Sequence, residues 1–279
     1  MLMILINGEC KRQIEISDRG FQYGDGLFET IEVKNGKPVF FDRHLTRLNT
    51  GCNRLHIPVP DPELLTAEVF SLCKDSDQAV LKLIVTRGSG GRGYRQPDPI
   101  LPTRVLSLHP YPDYPFAHKA QGIAARFCDT RLGLNPLLAG IKHMNRLEQI
   151  LARAEWNDTA IQEGIMLDIN DHIIEGTMTN LFYVKDSSVH TSLLTHAGIS
   201  GIMRGIIMEI LLHNEIPISE RLFNKDEFLS ADEIFVSNSI IGIWPVNQID
   251  NSYFPVGPIT RQLQSCLEKF KSEAEASRP

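Results

Sequence analysis

The chain has 279 residues, 42% hydrophobic and 22% charged, a foldable mixture with room for one large domain or two modest ones. Its net charge is −6, from 28 basic and 34 acidic side chains with no block of like charge; this opposes a general nucleic-acid binder but allows a local basic pocket. Five scattered cysteines (Cys10, Cys52, Cys73, Cys128, Cys266), none in a C-x-x-C pair, speak against structural disulfides and a zinc cage.

The amino terminus MLMILINGECKRQ lacks the charged start and long apolar stretch of a signal peptide, and no segment approaches a membrane span. With the unpaired cysteines, this predicts a cytoplasmic protein. ILINGECKRQIEIS reads as a hairpin turning at Asn7-Gly8, and LFETIEVKNGKPVFF as a second one turning at Asn35-Gly36. Leu45, Leu48, Cys52 and Leu55 recur at helical spacing, with Asp42 as the expected N-cap and Pro58 and Pro60 as terminators. A further helix is expected over Pro62 to Lys74, then strands at AVLKLIVTRG and TRVLSLHPY. Three prolines in the six residues from Pro110 to Pro115 mark an interdomain linker.

Beyond it the pattern predicts a strand at GIAARFCDTRL and a long helix from about Met144 to Trp156. A hairpin then turns at Asn170-Asp171, and NLFYVKDSSVHTS makes another strand pair. SGIMRGIIMEILLHN is helical, DEIFVSNSI extended and PITRQLQSCLEKFKSEA helical, with a disordered tail EASRP. The sequence thus reads as an α+β protein: a domain over 1–110, a linker over 111–121, a domain over 122–279, and mostly hairpin-type sheets.

Four segments carry more than packing. Lys142 lies between apolar Ile141 and an expected helix start, surroundings that depress an ammonium and favour a nucleophilic amine; a solvated lysine before a helix fits the spacing too. Glu175 follows two isoleucines and precedes Gly176, a place for a carboxylate facing a cation or for an ordinary turn residue. Gly198, Ser200 and Gly201 open an apolar helix whose first N–H groups could take an anion, or simply be capped. VTRGSGGRGYRQ holds four glycines and three arginines, either a basic loop able to grip carboxylates or a plain hairpin tip.

In this order, the segments resemble the fold type IV pyridoxal-phosphate (PLP) enzymes: branched-chain and D-amino-acid aminotransferases and aminodeoxychorismate lyases. The resemblance runs from INGE through RGFQYGDGLFETI (Arg19 to Ile31), HLTRL, EGTMTNLF and SGIMR to SNSIIGIWPV. It implies a two-domain α+β fold. It further implies Lys142 as the Schiff-base lysine and sole catalytic residue, and Arg47 on the cofactor phosphate. Glu175 would face the pyridine nitrogen, and Ile202, Met203, Asn238 and Ser239 would lie around the phosphate. Met203 departs from the threonine common in relatives, so one hydroxyl contact is lost. RGSGGRGY (Arg87 to Tyr94) and LAGIKHMNRLEQ (Leu138 to Gln149) are most similar to the lyases, which convert 4-amino-4-deoxychorismate to 4-aminobenzoate and pyruvate in folate biosynthesis.

For the substrate, the resemblance implies Arg92 first, with Tyr94 and Phe28; Arg95 and Arg87 are weaker candidates. Lys82, alternating with apolar neighbours in AVLKLIV, reads as the polar face of a strand. Asn145, Thr179 and Asn180 read as supporting groups or caps, and His143 as a structural histidine or a proton carrier. Asp25 and Tyr23 line the site or shape a turn, and Trp156 and Trp244 read as core. The same resemblance implies a homodimer with a small-molecule substrate and no metal, nucleic acid or membrane partner.

Overall fold

The computed structural model describes residues 3–276, and the side chains of 3–273. The chain divides into two compact units, Met1–Pro112 with Ile141–Asn145, and Asp113–Gly140 with Arg146–Pro279.

The first unit contains β1 (Met3–Ile6), α1 (Arg19–Tyr23), β2 (Gly26–Lys34), β3 (Lys37–Pro38), α2 (Phe41–Leu55), α3 (Pro62–Cys73), β4 (Gln78–Thr86) and β5 (Thr103–Pro110). Its strands form one antiparallel sheet in the order β1-β5-β4-β2-β3. Period-2 alternation puts Leu27, Glu29, Ile31 and Val33 of β2 on one buried face. Helix α2 packs on β2 and buries Phe41, His44, Leu48 and Cys52. The turns at Asn7-Gly8 and Asn35-Gly36 form as expected, all four residues at positive φ. The first predicted hairpin does not: it is reduced to a bridge from Ile6 to Glu9, and β1 pairs with β5 instead.

Asp42 is not the N-cap of α2. The helix begins one residue earlier behind Phe40, which is left-handed at φ 54 and supplies no side-chain bond. Buried Phe40 and Phe41 set that start by packing, whereas Asp61 caps α3 through its carboxylate, as such residues do. Helix α2 stops at a left-handed His56, ahead of Pro58.

The second unit contains α4 (Phe116–Gln121), β6 (Ile123–Leu132), α5 (Leu147–Arg153), β7 (Ile161–Asp168), β8 (Ile173–Gly176), β9 (Asn180–Lys185), β10 (Ser188–Ser192), α6 (Ile202–His213), β11 (Ile218–Arg221), α7 (Lys225–Leu229), β12 (Glu233–Asn238), β13 (Gly242–Ile249), β14 (Ser252–Tyr253) and α8 (Pro258–Ala276). Its sheet runs β11-β10-β9-β12-β13-β6-β7-β8, with β14 on β13. This sheet is mixed rather than hairpin-built, because β13-β6, β6-β7 and β10-β11 are parallel. The near-continuous burial of β7 and β8 is the mark of strands covered on both faces.

Unit boundaries also differ from the sequence reading. The break falls after Pro112, but α4 already occupies Phe116–Gln121 of the expected linker. The Lys142 segment groups with the first unit, although the chain on both sides of it belongs to the second. The long helix expected from Met144 is only the seven-residue α5, because the preceding residues pair with β2. Of the predicted disordered tail, Glu275 and Ala276 continue α8, while Ser277 to Pro279 lie outside the described residues.

Candidate active site

In the first unit, Lys142 is held as a strand partner of β2. Phe28 N donates to Lys142 O at 3.0 Å, Met144 N donates to Gly26 O at 3.0 Å, and His143 bridges Leu27. Lys142 is therefore not at a helix start; α5 begins five residues on. What surrounds the half-buried amine is aromatic: Lys142 Nζ sits 4.4 Å from the Phe28 ring centroid. Lys82 is exposed on β4, yet its Nζ also lies 5.7 Å from that ring. Asn145 Nδ2 donates to Gly24 O at 3.2 Å and ties the segment down.

Arg47 lies on α2, where its Nε donates to Glu29 Oε1 at 2.8 Å and its Nη2 to Glu29 Oε2. His44 Nδ1 lies 2.6 Å from the same Oε2. Burial alone would raise the Glu29 carboxyl, but the Arg47 charge and the His44 hydrogen bond outweigh it and hold it at about 2. Burial lowers His44 and keeps its ring neutral; since a carboxylate only accepts, the ring proton belongs on Nδ1.

The glycine-arginine loop is anchored at its base and open at its tip. Arg87 is buried, donating twice to Asp25 and to the carbonyls of Leu55 and His56, a structural role. Arg19 donates to Asp25 and to the carbonyls of Gly93 and Arg95. Arg92 and Arg95 are exposed, as is Tyr94, whose ring lies 5.8 Å from that of Tyr23. Asp25 is thus the anchor of two arginines rather than a free acid.

In the second unit, Glu175 is the penultimate residue of β8, 3% exposed. Its Oε2 accepts from Ile199 N at 2.8 Å and its Oε1 from Gln149 Nε2 at 3.2 Å. Three residues beyond Ile199 begins α6, whose N-cap Gly201 offers no side-chain bond to the first turn that holds Ile202 and Met203. A Cβ at Gly201 would meet Asn180 Oδ1 at 2.0 Å, so a larger residue there would displace the Asn180 side chain. Asn180 Nδ2 in turn donates to Ile199 O at 2.8 Å. Asn238 Oδ1 accepts from Ile240 N and Ile241 N, and Nδ2 donates to Met178 O at 3.2 Å; its side chain shapes the turn bearing Ser239. Gly140 pairs with the same loop, its N donating to Gly198 O and its O accepting from Ser200 N.

The class IV amino-transferase model matches residues 26–249. The chain belongs to the class IV aminotransferase family. Within it, an aminodeoxychorismate lyase of Vibrio harveyi is 37% identical over 272 residues, 95% of this chain and 99% of that protein. The crystal structure of 4-amino-4-deoxychorismate lyase from Pseudomonas aeruginosa superposes with a TM-score of 0.93 at 44% identity, covering 96% of this chain and 98% of that one. A D-alanine aminotransferase of Bacillus licheniformis is 27% identical over 278 residues, 96% of each chain.

Class IV aminotransferases use PLP, and each unit by itself holds groups that suit it. An amine lies against an aromatic ring, a buried carboxylate is fixed by two donors, a guanidinium is aligned by a carboxylate, and a twelve-residue helix opens without a side-chain cap. Sequence reasoning passed over Glu29, His44 and Gln149, and also Glu163, which organises the Thr177–Thr179 turn. Only Glu29 left a trace: a charged residue at a core position of β2's period-2 pattern.

Proposed function

We propose that this chain is a PLP-dependent lyase converting 4-amino-4-deoxychorismate to 4-aminobenzoate and pyruvate. One observation carries the choice of reaction: over nearly its whole length the chain is closer to two lyases than to the aminotransferase. When bound, PLP supplies an aldehyde that joins an amine and a ring that draws electrons from the adjacent carbon. Lys142 would be the residue that holds that aldehyde, through its amine, and would release it to the substrate amine. Lys142 Nζ then takes the proton from the amine-bearing ring carbon. The neighbouring carbon–oxygen bond breaks, and enolpyruvate leaves, is protonated and becomes pyruvate while the ring becomes aromatic. No keto-acid acceptor is consumed.

In this reading Glu175 keeps a proton on the pyridine nitrogen, oriented by Gln149 and the Ile199 N–H. Arg47, the first turn of α6 at Ile202 and Met203, and the Asn238-Ser239 turn hold the phosphate. Because the Asn238 side chain is committed to its own turn, its contribution would be a backbone one. Phe28 backs the lysine, and Arg92 and Tyr94 meet the substrate's carboxylates from the exposed loop. The exposed Leu147, Ile150 and Leu151 of α5 support a homodimer, which light scattering would overturn by reading a monomer of 31.4 kDa.

Two measurements test the reading. Pyruvate and 4-aminobenzoate should form from aminodeoxychorismate with no keto acid added; efficient amino transfer from D-alanine to 2-oxoglutarate without aryl amine would overturn the lyase. Borohydride should fix the cofactor on Lys142, and Lys142→Ala should abolish the reducible chromophore. A reduced adduct on Lys82 would sink the assignment.

A further inference from the structure

Glu29 serves both basic residues of one helical turn. Arg47 and His44 stand three residues apart on α2, so they share a face and reach the same buried carboxylate on β2. Two bonds from Arg47 to this carboxylate use Nε and one hydrogen of Nη2, which fixes the guanidinium plane and the direction of its far edge. That edge, Nη1 with the second hydrogen of Nη2, faces away from Glu29. His44, within 2.6 Å of Oε2, holds the carboxylate in turn. A buried ion pair contributes little net stability compared with apolar side chains of similar size, so stability alone is a weak reason for this arrangement. Aiming a flexible arginine is a stronger one, because an oriented fork loses less freedom when it binds.

We propose that Glu29, supported by His44, is a positioning residue that aims the outer edge of Arg47 at the cofactor phosphate. This rests on the reading that Arg47 binds that phosphate. The test compares PLP with pyridoxal, which has the same aldehyde and ring but no phosphate. Each is titrated into cofactor-stripped protein, and binding is followed by the absorbance of the lysine adduct.

Glu29→Gln should weaken PLP about 10- to 100-fold, by analogy with the loss of groups that orient metal ligands. Pyridoxal should change less than about threefold, within the scatter of distant substitutions. In an Arg47→Gln background, Glu29→Gln should weaken PLP no further, since its effect would run through the missing arginine. Equal weakening of both ligands means Glu29 only maintains the fold, and tighter PLP means it only neutralises Arg47; either overturns the proposal. If Glu29→Gln does not fold, His44→Gln must shift the PLP-to-pyridoxal ratio several-fold in the same direction, and an unchanged ratio overturns it. An Arg47→Gln protein with the wild-type ratio would instead refute the underlying reading of Arg47.

Discussion

Glu29 in the first unit and Glu163 in the second are both buried carboxylates, and the two are held in opposite ways. Glu29 and Glu163 are both 1% exposed. Glu29 faces the guanidinium of Arg47 and the ring of His44 and is held at about 2. Glu163 accepts from Gly164 N, Thr177 N, Thr177 Oγ1, Met178 N and Thr179 Oγ1, all neutral donors, and burial raises its carboxyl despite them. Five hydrogen bonds to neutral donors thus do less for a buried charge than one full opposite charge with a supporting ring. The first arrangement fixes a charged side chain that can act on a ligand; the second ties up the turn between Glu175 and Asn180.

The largest expected effect is from Glu29→Ala, which leaves Arg47 and His44 around a vacated carboxylate. It should cost about 3–5 kcal/mol in urea unfolding, the usual penalty for breaking a buried ion pair. A loss below about 1 kcal/mol would erase the contrast with Glu163.

Acid should separate the pair next. Glu29 is depressed from 4.5 to about 2, so its stabilisation is present above 4.5 and is lost as pH falls toward 2; this corresponds to about 3 kcal/mol. His44, lowered from 6.5, acts in the same sense: its contribution fades as pH drops below 6.5. Glu163 has the reverse sign. Its folded carboxyl lies above 4.5, so its contribution is complete below 4.5 and is lost as pH rises through the folded value. Unfolding of wild type, Glu29→Gln and Glu163→Gln from pH 2 to 8 should show slopes of opposite sign removed by the two substitutions. Removal of the same slope by both would break the comparison.

The smallest effect should come from Glu163→Gln at neutral pH, within about 1 kcal/mol of wild type. The amide keeps one oxygen for Gly164 and Thr177, and the Thr179 hydroxyl can turn to accept from the new NH2. A loss of 3 kcal/mol or more, measured by urea unfolding, would mean that the ionised form of Glu163 is needed after all.

Much of the fold was legible in local pattern. The Asn35-Gly36 turn, the α3 boundaries and its Asp61 cap follow from short-range chemistry, and they are where the sequence places or allows them. The first hairpin and the α2 cap were misread because tertiary partners won: β1 found β5, nearly a hundred residues on, and two buried phenylalanines set the start of α2. The parallel pairs of the second sheet join strands without a direct turn, so no turn signal announces them.

By itself the sequence determined the element types along most of the chain, the family it belongs to and the identity of its chemical groups: a lysine in an apolar segment, a carboxylate before a glycine, an apolar helix opened by glycines and a serine. Only the tertiary structure decided that Lys142 is held against β2 and Phe28 instead of at a helix end, and that Glu29, a strand residue, grips Arg47 and His44 from a helix. The reason is physical. Propensity and capping act over a few residues, whereas the partner of a buried charge is fixed by burial, which brings together groups far apart along the chain.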